Sequence, residues 1–249
     1  MLARSLADPP IGIRRNAAGH HGRVPRTVER VPRTYAAIDP AVLPEELADL
    51  VLSADHPGVA LRVALDGPRA AEPDALAEAL IGPLQARGRA VAHIRSETFW
   101  RDASLRLEHG RHDPFSYRHD WLDDAALLRE VLAPLGPGGS GEFLATLRDP
   151  VTNRATREPP RAATAGTIVI VSGELLLGRD LPFDVTIHLA VGPPARTRRT
   201  PDEWAWTLPA LDEYDQVVDP TGTADVVVRL DDPRHPAISR VAPRASGST

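Results

Sequence analysis

The residues from Gly67 to Asp74 read GPRAAEPD. They sit between an apolar run, LRVALD (61–66), and an amphipathic stretch that ends at Gly88. A strand that passes through a short loop into a helix turns backbone N–H groups and the positive end of the helix dipole toward one place, which is the physics of anion binding. A loop that cradles nucleotide phosphate completes this frame with G-x-x-x-x-G-K-[ST]. Here the frame is present and the chemistry is altered. Gly67 opens the loop, but Glu72, Pro73 and Asp74 close it. All 29 basic residues are arginine, so no lysine elsewhere in the chain can supply the missing charge. Three further clusters carry reactive side chains. SETFW (96–100) places Glu97 ahead of two aromatics. RLEHGRHDPFSYRHDWLDD (106–124) concentrates His109, His112, His119, Asp113 and Asp120. ARTRRTPDE (195–203) brings together Arg196, Arg198 and Arg199.

Composition narrows the classes. The chain has 249 residues, enough for one α/β domain of about 200 residues plus a tail. A net charge of −5 points to no nucleic-acid partner. With no cysteine, disulfides, zinc–thiolate sites and thiol nucleophiles are excluded. No apolar run approaches the roughly 18–20 residues of a membrane span. The N-terminus lacks the apolar core of a secretory signal, so the cytoplasm is the expected location. Richness in Ala, Arg and Pro without Lys suggests a GC-rich, bacterial genome.

The elements that must position these clusters alternate. Residues 1–35 carry seven arginines and little apolar periodicity, and read as a disordered arm. AVLPEELADLVLSA (41–54) has Leu43, Leu47, Leu50 and Val51 at helical spacing, an N-terminal helical extension over 36–58. The main unit spans 59–240. Its strands are LRVALD (61–66), AVAHIR (90–95), TIVIVSG (167–173), DVTIHLAV (184–191) and ADVVVRL (224–230). Helices are expected over 73–88 and 123–135, and a small hairpin or excursion from Glu142 to Pro160. DDPRHPAI (231–238) reads as a rigid exit from the last strand, and 241–249 as a loose tail. Such alternation implies a mostly parallel sheet of about five strands with helices on both faces.

The order of segments resembles the uridine kinase-like branch of the P-loop nucleoside kinases. The likeness runs from about Leu61 to Ile238. It rests on VALDG before the loop, RSETFWRDASLR after the second strand, HDPFSYRHDWLD, VIVSGELLLGRDLPFDVTIHL, ARTRRTPDE and ADVVVRLDDPRHP. The resemblance implies a three-layer α/β/α fold of the P-loop NTPase kind. It also implies transfer of the γ-phosphoryl of Mg-ATP to the primary hydroxyl of uridine or cytidine.

Carried over residue by residue, the resemblance makes Gly67 the first loop glycine. Arg69 becomes a candidate for the missing loop charge, and Asp74 a candidate Mg²⁺ ligand, since carboxylates suit that ion. Glu97 matches the base near the acceptor hydroxyl. Phe99, Trp100, Asp113, Tyr117 and Arg118 fall in the nucleoside region, and Arg196, Arg198 and Arg199 in the phosphate-clamping lid. Each substitution in the loop works against phosphate. Glu72 adds bulk and negative charge, while Pro73 has neither charge nor N–H. Proline at a helix start, with acids beside the positive dipole end, is also plain helix chemistry. Phosphoryl transfer is therefore expected to be weak or lost, leaving a nucleoside- or phosphate-binding or regulatory role. The alternative is an active kinase that uses arginine in place of lysine and Asp74 for Mg²⁺. The expected partner is a nucleoside or nucleotide-like small molecule, with a homo-oligomer left open and no nucleic acid or membrane. Two further readings are weaker. His112 and His119 with a carboxylate match no standard metal signature. Ser172 in VSG lacks the glycine two residues earlier that a nucleophile elbow needs.

Overall fold

The computed structural model describes residues 33–54 and 58–240. Most of the expected arm, His56–Pro57 and the expected tail lie outside these residues. The strands are β1 (Ala36–Ala37), β2 (Ala60–Asp66), β3 (Val91–Arg95), β4 (Glu142–Phe143), β5 (Arg161–Ala162), β6 (Thr167–Gly173), β7 (Val185–Ala190), β8 (Val226–Arg229) and β9 (Ala237–Arg240). All seven residues of β2 are buried, because helices cover both faces of the sheet around it. Leu61, Val63 and Leu65 point to one core, with Ile168, Ile170, Ile187 and Leu189. Ala60 and Ala64 point to the opposite face, in two further clusters.

The sheet order is β1-β9-β8-β7-β2-β6-β3. Five strands are parallel, from β3 through β6, β2 and β7 to β8. These are the five strands expected from the sequence. The full count is seven, a correction to about five: β9 runs antiparallel beside β8, and β1 beside β9. The end of what reads as a rigid exit, from Ala237, is thus a strand paired on both sides, four residues long and too short for alternation to reveal it. β4 and β5 form the expected small excursion.

Helix α1 (Leu43–Leu52) packs on the main unit, where its Leu43, Leu47 and Val51 belong to the same core as β2. Helix α2 (Pro73–Ala86) packs beside it, with Pro73, Ala77, Leu80 and Leu84 inward. The expected helix over 123–135 is interrupted by a wide turn at Leu128–Leu132. Pro134 has no N–H to offer the Glu130 carbonyl, which instead accepts the Leu144 N–H at 3.0 Å. Among the described residues no helix is long and apolar enough to cross a membrane.

Beneath the sheet's C-terminal edge, a buried Arg62–Asp184 pair ties β2 to the start of β7. The carboxylate accepts from Arg62 Nε at 2.9 Å, from Nη2 at 2.7 Å and from the Arg62 backbone N–H at 2.8 Å. Parallel sheets carry their sites at the C-terminal ends of the strands, where connections diverge to opposite sides. Here β2 lies between β6 and β7, so the loop after Asp66 stands at that point.

Candidate active site

Register sets up the site. Asp66 at the end of β2 is level with Gly173 on β6 and His188 on β7, and Arg95 on β3 is level with Ser172. Gly67 starts the loop pressed against β7, where a Cβ would lie 2.7 Å from Leu189 Cβ. The loop then makes a tight turn at Arg69–Ala71 and enters α2 at Pro73. Between them Glu72 holds φ 53° and ψ 55°, the left-handed conformation that glycine adopts freely. The backbone keeps a glycine's geometry at a residue that is glutamate. Glu72→Gly is expected to raise stability by about 0.5–1 kcal/mol, the relief of the strain less the added entropy of glycine, measured by thermal or urea unfolding. A loss of stability would contradict it.

The loop's polar backbone is turned inward. The Gly67 N–H donates to the Gly173 carbonyl at 3.0 Å, Ala71 to Pro68 at 2.7 Å and Glu72 to Arg69 at 3.0 Å. The Arg69 N–H donates to Glu174 Oε1 at 2.6 Å. Pro68 and Pro73 have no N–H to give.

A cavity of about 330 Å³ opens beside the loop. Trp100, Tyr117 and Trp121 form its aromatic wall, and Glu72, Asp74, Glu97 and Glu174 face it with Arg69, Arg95 and Arg179. All of these charges but Glu72 are already paired within the protein. Arg69 Nη2 lies 2.8 Å from Glu97 Oε1 and 3.6 Å from Glu174 Oε2, and its guanidinium stacks 4.0 Å over Trp204. Burial alone would lower the Arg69 pKa, but Glu174, Tyr117 and Glu97 together raise it, so it stays cationic. Glu174 is buried and also accepts the Tyr117 hydroxyl. Burial pushes its carboxyl above the usual glutamate range, and Arg69 and Tyr117 oppose that shift. Burial, with Glu174 beside it, raises the Tyr117 phenol in turn. Asp74 accepts Arg95 Nε at 2.8 Å and the Ser172 hydroxyl, which also lies 2.7 Å from His93 Nε2. Arg179 Nη1 donates to both oxygens of Asp124, at 3.0 and 3.1 Å.

Below the loop lies a network that sequence inspection missed. Asp66 is fully buried. Its Oδ1 accepts the Leu176 N–H at 2.9 Å, and its Oδ2 accepts His188 Nδ1 at 2.7 Å and the Tyr214 hydroxyl at 3.1 Å. Tyr214 in turn accepts the Leu177 N–H at 3.0 Å. The segment just after Glu174 is therefore fixed from underneath by β2, β7 and the helix Leu208–Val217.

The expected site residues divide. Gly67 and Arg69 form the loop. Arg69, Asp74, Glu97, Trp100 and Tyr117 face the cavity. Phe99, expected at a nucleoside, is instead fully buried in the core with Leu122 and Leu127. Asp113 caps the helix Pro114–His119 through the Phe115 and Ser116 N–H groups. Arg118 is buried and paired with Glu213. Arg196 is buried and bound by Asp212 and Asp215, and Arg199 donates to the Leu230 carbonyl at 2.6 Å. Arg198 is exposed and bonds the Pro194 carbonyl. The histidine cluster forms no metal site: His112 packs on Trp206 and His119 on Phe115, and no group of three or more potential ligands occurs among the described residues. Ser172 is fully buried in the strand, away from solvent. Two contributors had visible signals in the sequence. Glu174 follows the glycine of an apolar strand, and the WAW pair at 204 and 206 joins Trp100, Tyr117 and Trp121 in one aromatic cluster.

No family model matches the chain, and no curated protein is similar to it in sequence. Solved structures share its architecture. A possible uridine kinase from Bacillus stearothermophilus matches with a TM-score of 0.60 and 18% identity, over 74% of this chain and 96% of that one. The fold is that of the P-loop kinases. Two further structures agree at a TM-score of 0.50. One is a fructose transport system kinase, so named provisionally, from Silicibacter sp. TM1040, with 21% identity over 74% of this chain and 92% of that one. The other is the YGR205w protein, with 8% identity over 82% and 100%. GPRAAEPD connects β2 to α2 at the C-terminal end of the parallel strands.

Proposed function

We propose that this chain is a nucleoside-binding protein on a kinase fold, cytoplasmic in setting, in which ATP-dependent transfer is weak or lost. One observation carries the proposal: the loop's cation and its candidate Mg²⁺ ligand are already paired inside the protein, Arg69 with Glu97 and Asp74 with Arg95. A kinase loop needs its cation for the β/γ-phosphates and its oxygen ligand for Mg²⁺. An arginine committed to two carboxylates is a poor substitute for lysine. A carboxylate held by Arg95 and Ser172 is a poor site for Mg²⁺. The residues present therefore do not fit a magnesium triphosphate, and no catalytic step is assigned through one. The same atoms disfavour the alternative of an active kinase using Arg69 and Asp74.

What remains suits a planar, uncharged ligand. Trp100, Tyr117 and Trp121 offer stacking surface, and the Glu97 carboxylate can accept a hydroxyl or amino hydrogen. All four tryptophans lie in the cluster at this cavity, so tryptophan fluorescence reports directly on occupancy. Uridine or cytidine is expected to change the emission with saturation below about 1 mM, about −4 kcal/mol of binding. With Mg-ATP added, turnover is expected to stay far below the ~1–100 s⁻¹ of working kinases. Turnover within that range, or no response to either nucleoside, would refute the proposal.

A further inference from the structure

We infer that Glu174 is a built-in occupant of the phosphate loop: its carboxylate stands where the loop would otherwise hold an external oxyanion, so the cavity rejects phosphorylated ligands and admits uncharged or cationic ones. This deepens the function proposed above by naming what the same site excludes.

Three kinds of phosphate-binding donor converge on this one carboxylate. They are a loop backbone N–H (Arg69, 2.6 Å) and a hydroxyl (Tyr117), both hydrogen bonded, and a guanidinium (Arg69 Nη2) at ion-pair distance, 3.6 Å. An external phosphate would use the same types in the same way. The chain around Glu174 is shaped to deliver it. Gly173 has φ 149°, and a Cβ there would meet Ser96 Oγ at 1.8 Å. Leu175 is a non-glycine residue at φ 62°. Strained backbone of this kind persists only where surrounding contacts hold it. Asp66 and Tyr214 supply such contacts through the Leu176 and Leu177 N–H groups. Charge acts in the same direction. Four carboxylates face the cavity against three arginines, and Arg179 is committed to Asp124 outside it. A second anion would meet net negative charge and no uncommitted cation.

The test is titration of Glu174→Ala with inorganic phosphate and pyrophosphate, followed by calorimetry and tryptophan fluorescence. The wild type is expected to show no binding up to about 10 mM. Glu174→Ala should bind at least about tenfold more tightly, since one charge-assisted hydrogen bond is worth that much. Adding Arg69→Ala, which leaves the loop N–H in place, should reduce the gain without abolishing it. A folded Glu174→Ala that binds phosphate no better than the wild type overturns the inference, and so does a wild type that already binds it. Glu174→Gln keeps the shape and removes the charge. If the alanine variant fails to fold, the glutamine variant decides: about a threefold gain supports the inference and no gain overturns it. Nucleoside titration of the wild type is a separate readout, so failure of the nucleoside proposal and failure of this inference are distinguishable.

Discussion

Asp66→Ala is expected to cost about 3–5 kcal/mol of folding free energy, the range for removing one partner from a buried, hydrogen-bonded charge network. The side chain is fully buried and serves three donors: the Leu176 N–H, His188 Nδ1 and the Tyr214 hydroxyl. Alanine leaves all three without that acceptor, and each orphaned buried group costs about 1–3 kcal/mol. Relaxation recovers part of the sum, so the lower total applies. Burial and the neighbouring Asp66 hold the Tyr214 phenol well above its usual pKa, so Tyr214 remains a neutral donor to Asp66 across the physiological range. Urea unfolding at pH 7 checks the figure. A loss below about 1 kcal/mol would mean that water replaces the carboxylate, and that the network does not fix the segment after Glu174.

The second large effect is a gain. Replacing Glu72, Pro73 and Asp74 by Gly, Lys and Thr restores the phosphate-loop pattern, yet this triple variant alone is expected to improve Mg-ATP binding by less than about tenfold. Adding Glu174→Ala to it should bring the total to about 10²–10³. The triple change supplies a lysine and frees Arg95 and the Ser172 hydroxyl from Asp74, but Glu174 still occupies the Arg69 N–H. Residues that share one hydrogen-bond network do not contribute additively, so the gain should appear only when loop and occupant are changed together. Calorimetry on the triple and quadruple variants measures the difference. A full gain from the triple variant would show that Glu174 yields to phosphate without being removed.

The sheet was legible because buried parallel strands are near-continuous apolar runs, as in TIVIVSG and ADVVVRL. β9 was not, since two of its four residues, Ser239 and Arg240, are polar and it is held by pairing with β8. The residues of the altered loop were legible, because Glu72, Pro73 and Asp74 are local departures from a local pattern, but the left-handed backbone at Glu72 was not. Partners were not. That Arg196 closes on Asp212 and Asp215, or Arg118 on Glu213, depends on how the helix Leu208–Val217 docks. A string of arginines looks the same whether it faces phosphate or its own acids. Phe99 illustrates the same limit: an aromatic beside a candidate base reads as a ligand contact until the tight turn at Ser96–Phe99 turns it into the core. Glu174, two residues past the serine of its strand, was visible as a carboxylate. Its role depends on Gly173 and Leu175 holding left-handed or open backbone, which residue type alone does not reveal for leucine.

Titration calorimetry of the wild-type protein with Mg-ATP, with and without uridine, tests the central claim most directly: a phosphate loop whose charges are already spent inside the protein. No heat of binding at millimolar ATP, under both conditions, is the predicted result. A micromolar Kd for ATP would contradict it, because Arg69 and Asp74 would then have left Glu97 and Arg95 to serve the nucleotide.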